Sequence, residues 1–109
     1  MGLYYKSTRN SNLKVTASEA ILKGLAPDGG LFVPSELPKL DVTMSDLKGK
    51  TYQEIAYLVM KQFLTDFTEE ELKNCIDKAY DSKFDTEEIA PLVKVDDTYY
   101  MELFHGATI

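Results

Sequence analysis

The chain has 109 residues, a formal net charge of −6, 44% hydrophobic residues, one cysteine and one histidine. That length suits one small domain, which buries roughly 60–70% of the surface its unfolded chain exposes, and the lone Cys75 excludes an internal disulfide. The acidic balance and the lack of any Lys/Arg run argue against nucleic acid and an anionic membrane surface, and no apolar stretch approaches the about 20 residues of a spanning helix.

Met1-Gly2-Leu3-Tyr4-Tyr5-Lys6 lacks an apolar signal region. Lys6 stands where a myristoylation motif wants Ser or Thr. The expected setting is therefore cytoplasmic. A phosphorylated substrate meets net repulsion here, so a strong anion site is expected to draw on groups from elsewhere.

Leu3–Thr8, aromatic and partly β-branched, predicts a short strand. Arg9-Asn10-Ser11-Asn12 reads as a turn. Thr16 and Glu19 fit a capping box opening a helix from about Ala17 to Lys23, with Gly24 as its left-handed stop. Pro27 and Gly29-Gly30 predict a tight turn that feeds a strand at Leu31–Val33. Ser35 to Asp41 reads as irregular surface chain.

Two stronger helices follow. Thr51 and Glu54 cap one whose apolar positions are Tyr52, Ile55, Ala56, Val59, Met60 and Phe63. Thr68 and Glu71 cap the next, with Leu72, Cys75, Ile76, Ala79 and Tyr80 on one face. The short link between them predicts a helical hairpin that forms most of the core. Pro91–Val95, Asp96-Asp97-Thr98 and Tyr99–Phe104 predict a β-hairpin. The fold class is α+β: short strands, a two-helix hairpin core and a C-terminal β-hairpin.

The chemistry-bearing residues do not assemble a site by themselves. One His and one Cys far apart in the chain give no zinc pattern, so no metal is expected. Cys75, on an apolar helix face, is expected to be a small buried residue. Asp28-Gly29-Gly30 allows a phosphate-cradling turn, but both the Walker and the GxGxxG patterns are missing, which favours an ordinary turn. The clusters Glu69-Glu70-Glu71 and Glu87-Glu88 read as solvated helix starts. Composition and spacing alone give a soluble acidic domain without a complete active site.

Two blocks add a resemblance. Tyr5-Lys6-Ser7-Thr8-Arg9, followed by Ser18–Pro34 with its Gly24-Leu25-Ala26, Asp28-Gly29-Gly30-Leu31 and Val33-Pro34, resembles the opening of threonine synthases. Glu102-Leu103-Phe104-His105-Gly106-Ala107-Thr108 is similar to that family's Leu-Phe-His-Gly-Pro-Thr, which leads into Ala-Phe-Lys-Asp. Ala107 departs from the family's usual Pro. The resemblance covers essentially the whole chain.

The resemblance implies an enzyme that converts O-phosphohomoserine and water to threonine and phosphate, with pyridoxal phosphate as electron sink. The Schiff-base lysine would lie just beyond Ile109, so the 109 residues alone are expected to be inactive and to bind no cofactor. Residues 1–90 would form the N-terminal domain; 91–109 would be the hairpin and lead-in to the cofactor domain. His105, Gly106 and Thr108 would lie beside the cofactor, and Asp28 and Gly29 would be candidates for the substrate cleft. The implied partners are O-phosphohomoserine and the missing cofactor domain, with self-association of the fragment through its uncovered end. Two alternatives stand: a helical protein-interaction module, or the N-terminal part of another pyridoxal-phosphate lyase.

Overall fold

The computed structural model describes residues 2–106. Tyr5–Ser7 (β1) pairs antiparallel with Asn10–Val15 (β2) and with Phe32–Pro34 (β3), giving the sheet order β2-β1-β3. The β1–β2 connection is tighter than the sequence suggests. The turn is confined to Thr8-Arg9, and Asn10-Ser11-Asn12 is strand. Those residues show no apolar alternation because most of β2 is exposed; its backbone ladder and the buried Val15 hold it, with an irregularity in the register. Pro34 ends β3 at the sheet edge, where a missing N–H costs little.

Ala17–Lys23 (α1) starts at the expected Thr16, whose hydroxyl accepts from Glu19 N–H at 3.3 Å, but the described bonds give only this half of the expected capping box. A second free donor of that first turn, Ser18 N–H, is taken at 3.1 Å by Asp66, far away in sequence. Gly24 ends the helix at φ 73, its N–H donating to the Ala20 carbonyl. A one-turn helix unforeseen from sequence, Met44–Leu47 (α2), is closed by a Thr43/Asp46 capping box.

Tyr52–Phe63 (α3) and Glu69–Ala79 (α4) start at Thr51 and Thr68, each with a complete capping box. The two helices pack against each other. The core, however, is divided. Among the described residues the buried apolar side chains are Val15, Ala17, Ala20 and Ala26 around the sheet and α1, and only Leu72 and Ile76 on α4. α3 buries none fully. Cys75 is exposed, contrary to expectation. Leu72 and Ile76, one turn apart, form a stripe too narrow to include it.

The link Thr65-Asp66 ties the two halves together. Leu3 N–H donates to Thr65 Oγ1 at 2.9 Å, the Tyr5 hydroxyl donates to the Phe63 carbonyl at 2.8 Å, and Asp66 caps α1. From the far end of α4 an aromatic run leads onward: Tyr52 meets Tyr80 edge-on at 5.0 Å, and Tyr80 meets Phe84 at 6.0 Å. The chain then forms the hairpin Leu92–Val95 (β4) and Thr98–Met101 (β5), turning at Asp96 with φ 54. All eight hairpin residues are exposed. The Cα radius of gyration, 16.4 Å, exceeds the roughly 13 Å of a compact domain this size.

Ile76, only 3% exposed, is the largest test of the helical half. Ile76→Ala is expected to cost about 2–5 kcal/mol of unfolding free energy, measured by chemical denaturation. An unchanged value would remove Ile76 from the core.

Candidate functional site

The structure brings the sequence-selected residues into two separate groups. The first surrounds Asp28. Pro27 and Asp28 occupy a β-turn closed by Gly29 N–H donating to the Ala26 carbonyl at 2.9 Å, and Gly29 follows at φ 83. The positive φ is what favours glycine there. A Cβ at Gly29 would stand 2.7 Å from Nη1 of Arg9.

This turn is fastened to the β1–β2 turn. The Ser7 hydroxyl, on a residue 2% exposed, donates to Asp28 Oδ1 at 2.7 Å and accepts from Arg9 N–H at 3.1 Å. Gly30 N–H donates to the same carboxylate oxygen at 2.9 Å. Arg9 Nη1 donates to the Asp28 carbonyl at 3.0 Å. Thr8 and Leu31 exchange two further bonds: Thr8 N–H donates to the Leu31 carbonyl at 2.9 Å, and Leu31 N–H to Thr8 Oγ1 at 3.0 Å. The Ser7 hydroxyl, then the Gly30 N–H, then the nearby Arg9 charge hold the Asp28 carboxyl below its ordinary pKa of 3.8. Asp28 is thus an ionised anchor of the turn.

The second group surrounds His105. Nδ1 lies 2.6 Å from Asp85 Oδ1 and Nε2 lies 2.8 Å from Glu102 Oε1. The Glu102 bond first, then the Asp85 bond and the two negative charges, raise the imidazole above its ordinary 6.5. Phe104 lies against the ring at 4.5 Å. Gly106 packs on Phe84 so closely that a Cβ would stand 2.6 Å from the ring. Thr108 lies outside the described residues.

Four residues were overlooked as site members. Ser7 and Arg9 carried a signal, since they belong to the Ser-Thr-Arg block. Glu102 opens the second quoted block, and Asp85 carried no signal beyond its charge. Among the described residues there is no group of His, Cys, Asp and Glu arranged to hold a metal, and no helix is long and apolar enough to cross a membrane.

Fold and sites together define a small α+β unit that presents two fixed loops. The chain belongs to the threonine synthase N-terminus family, whose model matches residues 4–80. It is 41% identical over 108 residues to threonine synthase of Schizosaccharomyces pombe, covering 95% of this chain and 21% of that protein. To the Saccharomyces cerevisiae threonine synthase it is 35% identical over 114 residues, covering 95% and 22%. The crystal structure of PLP-bound threonine synthase from Brucella melitensis matches with a TM-score of 0.82 at 33% identity, over 97% of this chain and 23% of that one. The chain therefore spans about a fifth of the length of these relatives.

Ser7→Ala removes the buried hydroxyl that bonds Asp28 and accepts from the Arg9 N–H, and is expected to cost about 1 kcal/mol. The depressed Asp28 pKa has a fixed sign. Its contribution is present above the ordinary 3.8 and lost as pH falls through the lower folded value. Asp28→Asn should therefore flatten the acid limb of stability between those values. Acid titrations followed by circular dichroism check both variants, and an unaltered acid limb would show that Asp28 is not held ionised.

Proposed function

We propose that this chain is the N-terminal domain of a threonine synthase, whose whole polypeptide converts O-phosphohomoserine and water to threonine and phosphate in the cytoplasm. One observation carries the reading: a match over 95% of the chain to threonine synthases. Residues 1–90 act as the domain proper, and 91–109 as the hairpin and lead-in to a cofactor domain.

Pyridoxal phosphate, when bound, supplies an electron sink for carbanions of the substrate. The described residues do not fit that group as a complete cradle. The charged side chains bonded to His105 are the carboxylates Asp85 and Glu102, which repel a phosphate. The cofactor's own lysine and phosphate donors therefore belong to the rest of the enzyme, and the role of this chain is to shape the site's border. His105, Gly106 and Thr108 bring the chain to the cofactor. Asp28 and Gly29 offer the substrate cleft a rigid turn, with the Asp28 carboxylate spent on holding that turn.

The exposed hairpin fits the same reading. Leu92, Tyr99, Tyr100, Met101, Leu103 and Phe104 are all more than half exposed, and the cofactor domain is the surface that would cover them. Without it, the 109 residues should self-associate through that end, which light scattering across a concentration series detects.

The decisive experiment compares two proteins. The full-length enzyme should release phosphate from O-phosphohomoserine and form threonine. The 109-residue chain, incubated with pyridoxal phosphate and reduced with borohydride, should show no stoichiometric single-site adduct by mass spectrometry. An inactive full-length protein, or a single-site adduct on the short chain, overturns the reading.

A further inference from the structure

His105 is bonded at both ring nitrogens, and both partners are carboxylates. A carboxylate only accepts, and a neutral imidazole carries one N–H. A neutral ring would satisfy one partner and turn a lone pair on the other. Both bonds are made together only by the imidazolium. The His105 side chain is 11% exposed and Glu102 28%, whereas Asp85 is 71% exposed, so the Glu102 bond is the sheltered one of the two.

The two carboxylates come from different places. Asp85 belongs to the segment that follows α4; Glu102 follows the last residue of β5. Two other links run across the same junction. Asp85 N–H donates to the His105 carbonyl at 3.2 Å, and Phe84 fills the space over Gly106. Phe84 in turn is packed on Tyr80, and Tyr80 on Tyr52 of α3. The helical hairpin thus reaches the chain at Gly106 through an aromatic run and a charged clamp.

We propose that Asp85 and Glu102 are positioning residues: they hold His105 as a fixed imidazolium, and this three-residue clamp sets the course of the chain at Gly106 where it enters the cofactor-proximal segment. The clamp stands on geometry alone; its consequence for the cofactor rests on the threonine synthase reading. With both nitrogens committed, His105 is a fixed cation and not a proton shuttle. Among the described residues, the charged groups that meet it are Asp85 from the segment after α4 and Glu102 from the end of β5, while Phe84 and Phe104 are neutral. The clamp is closed below the ordinary histidine pKa of 6.5 and opens as pH rises through the raised folded value.

His105 is the only histidine, so its ring resonances are unambiguous in a nitrogen–proton NMR titration of the 109-residue chain. Below the ordinary 6.5 both ring nitrogens should carry protons. Asp85→Asn and Glu102→Gln should each move the His105 titration to lower pH. Amide exchange of residues 102–106 should accelerate as pH passes the wild-type midpoint. His105→Arg, which keeps a cation with several donors, should preserve that protection and abolish its pH dependence. Unchanged α3 and α4 amide signals verify that each variant is folded.

In the full-length enzyme, Asp85→Asn should shift the alkaline limb of pyridoxal-phosphate affinity, read by cofactor fluorescence, to lower pH. A single ring proton below pH 6.5, or a midpoint that neither substitution moves, overturns the clamp and leaves the threonine synthase reading untouched. A clamp intact by NMR in a full-length protein inert toward O-phosphohomoserine overturns that reading and leaves the clamp standing. An affinity profile that Asp85→Asn does not move overturns the positioning role.

Discussion

The Ser7 hydroxyl is the constraint on which the first half of the molecule depends. It is the buried polar side chain among the described residues, and both its donor and its acceptor capacity are used. A satisfied hydrogen bond adds only about 1 kcal/mol net, but an orphaned buried donor costs about 1–3 kcal/mol. That asymmetry makes the arrangement specific. Ser7 stays buried only if Asp28 comes to it, Asp28 comes only if Pro27 and Gly29 turn the chain back, and Gly30 must lack a side chain because Ser7, Thr8 and Asp28 all crowd its α-carbon. The β1–β3 register, with Ser7 opposite Phe32, follows from the same closure.

From β1 the order passes to the helices by polar contacts rather than by a shared core. The Tyr5 hydroxyl on the Phe63 carbonyl and Asp66 on the first turn of α1 are directional bonds at the joint. They fix an angle, but they bury little apolar area. The apolar interior is correspondingly thin: small residues around the sheet, two aliphatic side chains on α4. Removal of apolar surface from water is the dominant favourable term in folding, so a domain with this interior gains much from a neighbour that covers it.

The sequence made the helices legible because their determinants are local. Thr51 with Glu54 and Thr68 with Glu71 lie three residues apart, and each pair forms the reciprocal cap that its spacing implies. The hairpin turn at Asp96-Asp97 is local in the same way. β2 was hidden because Asn10-Ser11-Asn12 has turn chemistry, visible even in the strand as Asn12 N–H donating to Asn10 Oδ1; its pairing with β1 overrides that preference. Cys75 was misplaced because periodicity gives a face but not how much of that face a partner covers. The two motifs of the first block were each readable, yet nothing in their spacing said that Ser7 and Asp28 touch. The His105 clamp was least legible of all, since Asp85 reaches across 20 residues through a segment with no periodic pattern.

Both faces of the hairpin carry apolar side chains. On one face, Leu92 and Met101 pair at the base, and toward the tip Lys94 lies over the Tyr99 ring at 5.7 Å. On the other, Val93 faces Tyr100 and Val95 faces Thr98. A two-stranded ribbon is marginal in water by itself, and one with apolar side chains on both faces lacks the polar face that would let it stand in solvent. Its base is nonetheless held firmly, by Glu102 N–H on the Pro91 carbonyl and by Glu102 on His105. A ribbon fixed at its root and apolar on both faces has its direction settled at that root, while its exposed apolar side chains are the feature that the proposed cofactor domain would cover.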